Sequence, residues 1–126
     1  MFDHVQIKVA DLDRSRAFYA PCMEVLGYGV VFETDGVMVG FGVDEHNMFV
    51  ILQASAEALL SQHVHLAFKA KDIDEVRAFY DTALCHGGVG NGAPGLRPQY
   101  GPHYYAAFVL DPDGHNIEAV SAQKDV

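Results

Sequence analysis

Residues 4–9, "HVQIKV", alternate strictly: Val5, Ile7 and Val9 point one way, and His4, Gln6 and Lys8 the other. That period of two predicts a half-buried strand with a polar second face. Asp11 is placed to cap a helix, and Phe18, Tyr19, Cys22, Val25 and Leu26 form one stripe at helical spacing up to Gly27, which closes it. Pro21 lies inside this segment and predicts a kink or break. Three further strands follow, "YGVVFET", "VMVGFGV" and "MFVILQA". Asp35-Gly36, a strong hairpin signal, separates the first two, and "DEHN" the next pair. The first half therefore reads β-α-β-β-β, over about residues 1–56.

The pattern then returns. Residues 65–80, "HLAFKAKDIDEVRAFY", align with residues 4–19 at an offset of 61, and eight of sixteen positions are identical, His4/His65 and Tyr19/Tyr80 among them. His65, Ala67 and Lys69 share one strand face; Leu66, Phe68 and Ala70 share the other. Asp72 and Glu75 suit a capping box. Val76, Phe79, Tyr80, Ala83 and Leu84 make the apolar stripe of a second helix, which Gly87-Gly88 stops. Residues 89–103, "VGNGAPGLRPQYGPH", show no period and predict an ordered loop, with 91–103 folding over a cleft and Arg97 and His103 pointing into it. Two strands, "YYAAFVL" and "HNIEAV", flank a "DPDG" turn, and "SAQKDV" reads as a frayed tail. A module this small cannot bury its own sheet, so two must share a core. The expectation is an α+β fold: one domain over 1–126, two βαβββ modules (the second about 62–122), a curved mixed sheet around a cleft, and helices on the outer face.

Composition narrows the function. The 126 residues carry a formal charge of −9, with a sequence pI of about 5.0. That argues against nucleic acid or an anionic membrane as partner and would suit a cationic ligand. There is neither a long apolar run nor a signal-peptide pattern, which points to the cytoplasm. Cys22 and Cys85 read as two buried thiols.

Chemistry concentrates in three residues. Each copy opens its first strand with histidine on the polar face, so His4 and His65 occupy equivalent points of the cleft. In "HNIEAV", Glu118 and Asn116 share a face, and an acid within an apolar strand needs a partner or a cation. Two histidines and one carboxylate form a metal-binding set with open positions. His63 rivals His65 from the same strand face, and Lys8 or Lys69 could instead pair with Glu118. His46, His86 and His115 read as solvated.

The paired modules, the strand-opening histidines and "DPDGHNIEAV" resemble the vicinal oxygen chelate superfamily, which includes glyoxalase I, extradiol dioxygenases and bleomycin resistance proteins. The strings "HLAF", "NGAPGLRPQY" and "YYAAFVLDPDGHNIEAV" look like a bacterial glyoxalase-like subgroup. The resemblance implies a divalent metal (Zn, Ni, Fe or Mn) held by His4, His65 and Glu118, chelating two neighbouring oxygens of a small substrate in lyase, isomerase or dioxygenase chemistry. Glyoxalase I has a fourth ligand on the last strand of its first module. Here that place falls to Ile51 or Gln53, and neither is acidic. Beside Glu118, His103 and Tyr104 are the acid–base candidates, and Arg97, Tyr100, Tyr105, Lys8 and Phe41 the substrate-binding ones. The alternative is a metal-free protein that sequesters a small molecule in the bleomycin-resistance manner, using Phe41, Tyr104 and Tyr105. A homodimer is expected, to cover the exposed sheet edges.

Overall fold

A computed structural model describes residues 1–122. The first module comprises β1 (His4–Val9), α1 (Leu12–Val25), β2 (Gly29–Thr34), β3 (Met38–Gly42) and β4 (Met48–Gln53). The second comprises β5 (His65–Lys69), α2 (Ile73–Cys85), β6 (Val89–Leu96), β7 (Tyr105–Leu110) and β8 (Asn116–Ser121). Each module forms a four-stranded mixed sheet, in the order β1-β4-β3-β2 and β5-β8-β7-β6. The two opening strands pair in parallel with the last strand of their own module. The repeat thus produces two βαβββ modules, as the alternation predicts.

Both helices start where their caps allow. Asp11 accepts from the Arg14 amide at 3.1 Å, and Asp72 from the Glu75 amide at 2.9 Å. The reciprocal half of the capping box is displaced by one residue: Glu75 accepts from the amide of Lys71 instead, at 2.7 Å. Pro21 does not break α1, which continues to Val25. It sits in the penultimate turn, where only one backbone bond is forfeited and packing on both sides holds the segment. Along α2, Val76, Phe79 and Ala83 are buried, but Leu84 is exposed, one position beyond the stripe.

The apolar faces of both sheets and both helices meet in one main core, with a smaller cluster of Val76, Tyr105 and Ala107 under α2. The main core joins Ile7, Phe18, Tyr19, Phe41, Phe49 and Ile51 of the first module to Phe79, Val109, Ile117 and Ala119 of the second. Phe49 and Phe68 touch edge-to-face across the module boundary, with ring centroids 5.2 Å apart. Such aromatic pairs add to burial because ring edges and faces carry opposite partial charge.

Polar contacts tie the modules at one turn. Tyr19 on α1 donates its hydroxyl to the Asp111 carboxylate between β7 and β8. The other Asp111 oxygen accepts from the amides of Asp113 and His115, both at 2.9 Å. Asp113 accepts from Arg14 at 2.8 Å and from the Ala10 amide at 3.2 Å. Asp111 is a buried carboxylate that remains tolerable because every contact to it is a donor.

Four further sequence expectations change. Residues 89–96 are not loop but β6, bulged at Gly90/Gly92 and at Gly92/Gly95. A strand with three glycines and a proline in eight residues carries its ladder in the backbone and shows no side-chain period. Cys85 is exposed, whereas Cys22 is buried and burial pushes its thiol up to about 12. His115 is not solvated but 1% exposed. Ser121, placed in the frayed tail, closes β8 and is buried; residues 123–126 of that tail lie outside the described residues. Among the described residues no helix is long and apolar enough to cross a membrane.

The Tyr19–Asp111 contact yields a prediction. Tyr19→Phe leaves a buried carboxylate short of one charged hydrogen bond and should cost roughly 1.5–3 kcal/mol, read as a lower urea midpoint. Its repeat partner Tyr80 makes no hydroxyl hydrogen bond among the described residues, so Tyr80→Phe should shift the midpoint far less. Equal losses would show that the two tyrosines act through packing alone.

Candidate metal centre and the pocket beside it

β5 and β8 run in parallel with His65 opposite Asn116 and Ala67 opposite Glu118. On β5 the side chains of His65, Ala67 and Lys69 face away from the core and are exposed. Glu118 shares that face but is only 3% exposed, because its neighbours cover it. His65 Nε2 lies 3.0 Å from Glu118 Oε1, and the Tyr104 hydroxyl donates to Glu118 Oε2.

The protonation logic of this trio is tight. His65 Nδ1 is 2.9 Å from the Asn116 carbonyl oxygen, which can only accept. Nδ1 therefore carries the proton, and in a neutral imidazole Nε2 presents its lone pair to a carboxylate oxygen. Two electron pairs at that distance require a proton or a cation between them. The separation of 3.0 Å is also what two neighbouring ligands produce when each sits about 2.0–2.2 Å from one cation at near right angles. A backbone carbonyl on the far ring nitrogen is the usual second-layer support for a ligating histidine.

Burial and the hydrogen bond to Glu118 raise the Tyr104 phenol to about 12, with burial the larger cause. Tyr104 thus stays protonated and donating, which keeps Glu118 an acceptor.

Next to this trio a cavity of about 270 Å³ opens on the same sheet face, lined by Asn91, Arg97, Tyr100, Phe108 and Asn116 among others. Phe108 sits directly opposite Glu118 in the β7–β8 ladder. Its ring stacks on His65, centroids 6.1 Å apart, and the Arg97 guanidinium carbon lies over it, 5.4 Å from the centroid. Asn91 donates to Asn116 at 3.2 Å. Phe108, Asn91 and Asn116 are absent from the sequence-derived candidates. The alternation of "YYAAFVL" places Phe108 on the face of Glu118's strand partner, so a signal was present for that residue.

The other predicted residues distribute as follows. His4 bonds to Asp3 at 2.7 Å, with His46 on the second Asp3 oxygen at 3.5 Å. The hydrogen bond from His4 lowers the Asp3 carboxyl below its ordinary range. His4 makes no contact with His65 or Glu118 within the chain, and among the described residues no three His, Cys, Asp or Glu side chains converge as a metal site. One chain therefore assembles two of the three expected donors. Lys8 shares the His4 face of β1, in the other sheet. Tyr105 points to the opposite side from Tyr104: it is 8% exposed, packs on α2 and accepts from Arg77 at 3.2 Å. Phe41 is 2% exposed in the core against Tyr19 and Phe49, and it lines, with Asp3, His4, Phe49 and Phe68, a second cavity of about 350 Å³. Neither side chain reaches the Glu118 face: Tyr105 points opposite to its neighbour Tyr104, because adjacent strand residues alternate, and Phe41 stands in the other sheet. Tyr100 stands 64% exposed, its ring 5.3 Å from that of Tyr104. His103 keeps a buried Nδ1 without a hydrogen-bond partner among the described residues.

The ladder also corrects the fourth-ligand position. His4 pairs with Met48 and Gln6 with Val50, as His65 pairs with Asn116 and Ala67 with Glu118. Val50, not Ile51, is thus the counterpart of Glu118. Ile51 is wholly buried in the core, and Gln53 is spent on the turn into α1, accepting from Leu12 at 2.8 Å and donating to Ala10 at 2.9 Å. A slip of one residue reverses the face, and only the ladder reveals it.

Tyr104 gives a pH prediction. Between pH 10 and about 12 the unfolded chain loses a proton that the folded chain retains. The contribution of Tyr104 to stability is therefore complete below pH 10 and is lost as pH rises through about 12. In a phenolate absorbance titration, Tyr104→Phe should remove one late-titrating phenol, and Glu118→Gln should bring that phenol back towards 10. A Tyr104→Phe titration that overlays the parent's would refute the assignment.

A profile of the Glyoxalase/Bleomycin resistance protein/Dioxygenase superfamily matches residues 1–119. A Brassica oleracea var. gemmifera protein assigned as a lactoylglutathione lyase is 32% identical over 127 residues, covering 94% of this chain and 43% of its own. A Vibrio cholerae protein with the same assignment is 27% identical, covering 93% of this chain and 87% of its own. The chain thus spans less than half the length of the plant relative. Among solved structures, a glyoxalase/bleomycin resistance protein from Albidiferax ferrireducens superimposes with a TM-score of 0.79 at 28% identity, over 95% of this chain and 97% of that one. The repeat, the two βαβββ sheets and the match across nearly all of its length place the chain in the Glyoxalase/Bleomycin resistance protein/Dioxygenase superfamily.

Proposed function

We propose that the protein is a metal-dependent enzyme acting on a small substrate with two neighbouring oxygens, and that two copies assemble its centre. The observation that carries this reading is the 3.0 Å approach of His65 Nε2 to Glu118 Oε1, with the histidine proton committed to a carbonyl on the other side. His65 and Glu118 of one copy, with His4 of a second, would hold a divalent cation. Bound there, such a cation would polarise the substrate oxygens and acidify the carbon between or beside them. Glu118 supplies the acceptor for the proton released at that carbon. Tyr104 donates its hydroxyl to Glu118 Oε2 and so orients the carboxylate that receives that proton. Phe108 walls one side of the reacting group and shields it from water.

The relatives named above are assigned as lactoylglutathione lyases, which supports isomerase or lyase chemistry on an oxygen-rich substrate. With Val50 where a fourth ligand would stand, the set is two histidines and one carboxylate, leaving more open positions for substrate. Metal-free sequestration of a cationic ligand fits less well. Tyr105 is a core residue, and the open face beside Glu118 carries Lys69 and Arg97.

Titration of zinc, nickel or manganese into chelator-treated protein should show binding that Glu118→Gln or His65→Gln weakens by tenfold or more, with urea midpoints nearly unchanged. If His4 comes from a second copy, mixing His4→Gln with Glu118→Gln chains should restore roughly one quarter of the parental sites, because each mixed dimer rebuilds one complete set. Undiminished metal binding by Glu118→Gln would sink the centre; no recovery on mixing would sink its division between two copies.

A further inference from the structure

The cavity beside His65 and Glu118 contains a cation that the proposed chemistry does not use. Arg97 lies against it, and among the described residues no carboxylate is within 4 Å of its guanidinium. The side chain is nevertheless fixed. Nη2 donates to the Ala93 carbonyl at 2.7 Å, and the guanidinium plane rests over Phe108. Its backbone amide is bound to the Tyr104 carbonyl at 2.7 Å, so the turn that presents Tyr104 to Glu118 also carries Arg97. The strand beside it leaves room at one point: a Cβ at Gly95 would lie 3.1 Å from Nη1. A surface arginine needs no such seat. Around it, Asn91, Gln99 and Tyr100 add neutral hydrogen-bonding groups.

A pre-positioned guanidinium with most of its donors free is a fork for a planar or tetrahedral oxyanion. The location is specific, because the chain as a whole is acidic, at −9, and would repel anions elsewhere. We propose that Arg97, seated on Phe108 and made room for by Gly95, is the receptor for an oxyanion of the substrate, a carboxylate or phosphoryl group. The substrate is then an anion whose apolar middle lies along Phe108 and whose neighbouring oxygens reach His65 and Glu118. This deepens, and rests on, the reading of that pair as a metal centre; the anion receptor itself operates without metal.

The test uses the full chain stripped of metal, with benzoate, phenylphosphonate and the neutral benzamide as probes, followed by calorimetry and by the Arg97 Nε–Hε resonance. Benzoate or phenylphosphonate should bind and shift that resonance, and benzamide should not. The tighter of the two anions identifies the substrate's oxyanion. Arg97→Gln should lower anion affinity at least tenfold. Gly95→Ala retains the charge but makes the guanidinium give way by a few tenths of an ångström, and should lower anion affinity in the same direction but by less than Arg97→Gln. Glu118→Gln should lose metal and keep benzoate, so failure of the centre and failure of the receptor are read separately. If Arg97→Gln binds the anions as well as the parent, or if the parent binds neither anion, the proposal is overturned.

Discussion

The carboxylate of Asp111 holds the arrangement together. It is buried between β7 and β8, and takes the Tyr19 hydroxyl from the other module and the amides of Asp113 and His115 from its own turn. A charge so placed is costly unless all its donors are in position, so the turn and α1 must dock together. The turn then passes the constraint on. His115 Nδ1 accepts from the Val64 amide at 3.2 Å, and the Val64 carbonyl accepts from Asn116 at 3.0 Å. These bonds start β5 and β8 side by side, in the register that sets His65 against Glu118. A core contact between modules thus determines the geometry of two donors on the opposite side of the sheet.

That opposite side differs in character from the rest of the molecule. The chain is acidic, yet the exposed face of the second sheet presents His65, Lys69 and Arg97 around the buried carboxylate of Glu118. Glu118 tolerates burial because Tyr104 and His65 cap its two oxygens. Phe108, in contact with both His65 and Arg97, links the Glu118 pair to the Arg97 side of the cavity through two β-strand positions and the turn after β6. Rigid support of this kind keeps a site's donors within a fraction of an ångström of working geometry.

The alternation of "HVQIKV" and "HLAFK", the Asp caps and the glycine stops determined the module by themselves, because each is a local preference that the tertiary structure had no reason to override. Glu118 was likewise legible: an acid at the polar phase of an apolar strand signals a partner wherever the strand sits. Tyr104 and Tyr105 were not separable in sequence until the strand's starting phase was known. The same holds for Ile51 and Val50, since only the ladder tells which of two neighbours faces the site. β6 was hidden because glycine leaves no side-chain pattern. His115 looked like a turn histidine exposed to water, and its burial depends on Val64, fifty-one positions away in the chain. What sequence alone determined was therefore every feature set by neighbours along the chain. What only the tertiary structure decided was which two of the three expected donors meet in one chain, because that depends on how the modules pack across their helices, and packing is decided by contacts distant in sequence.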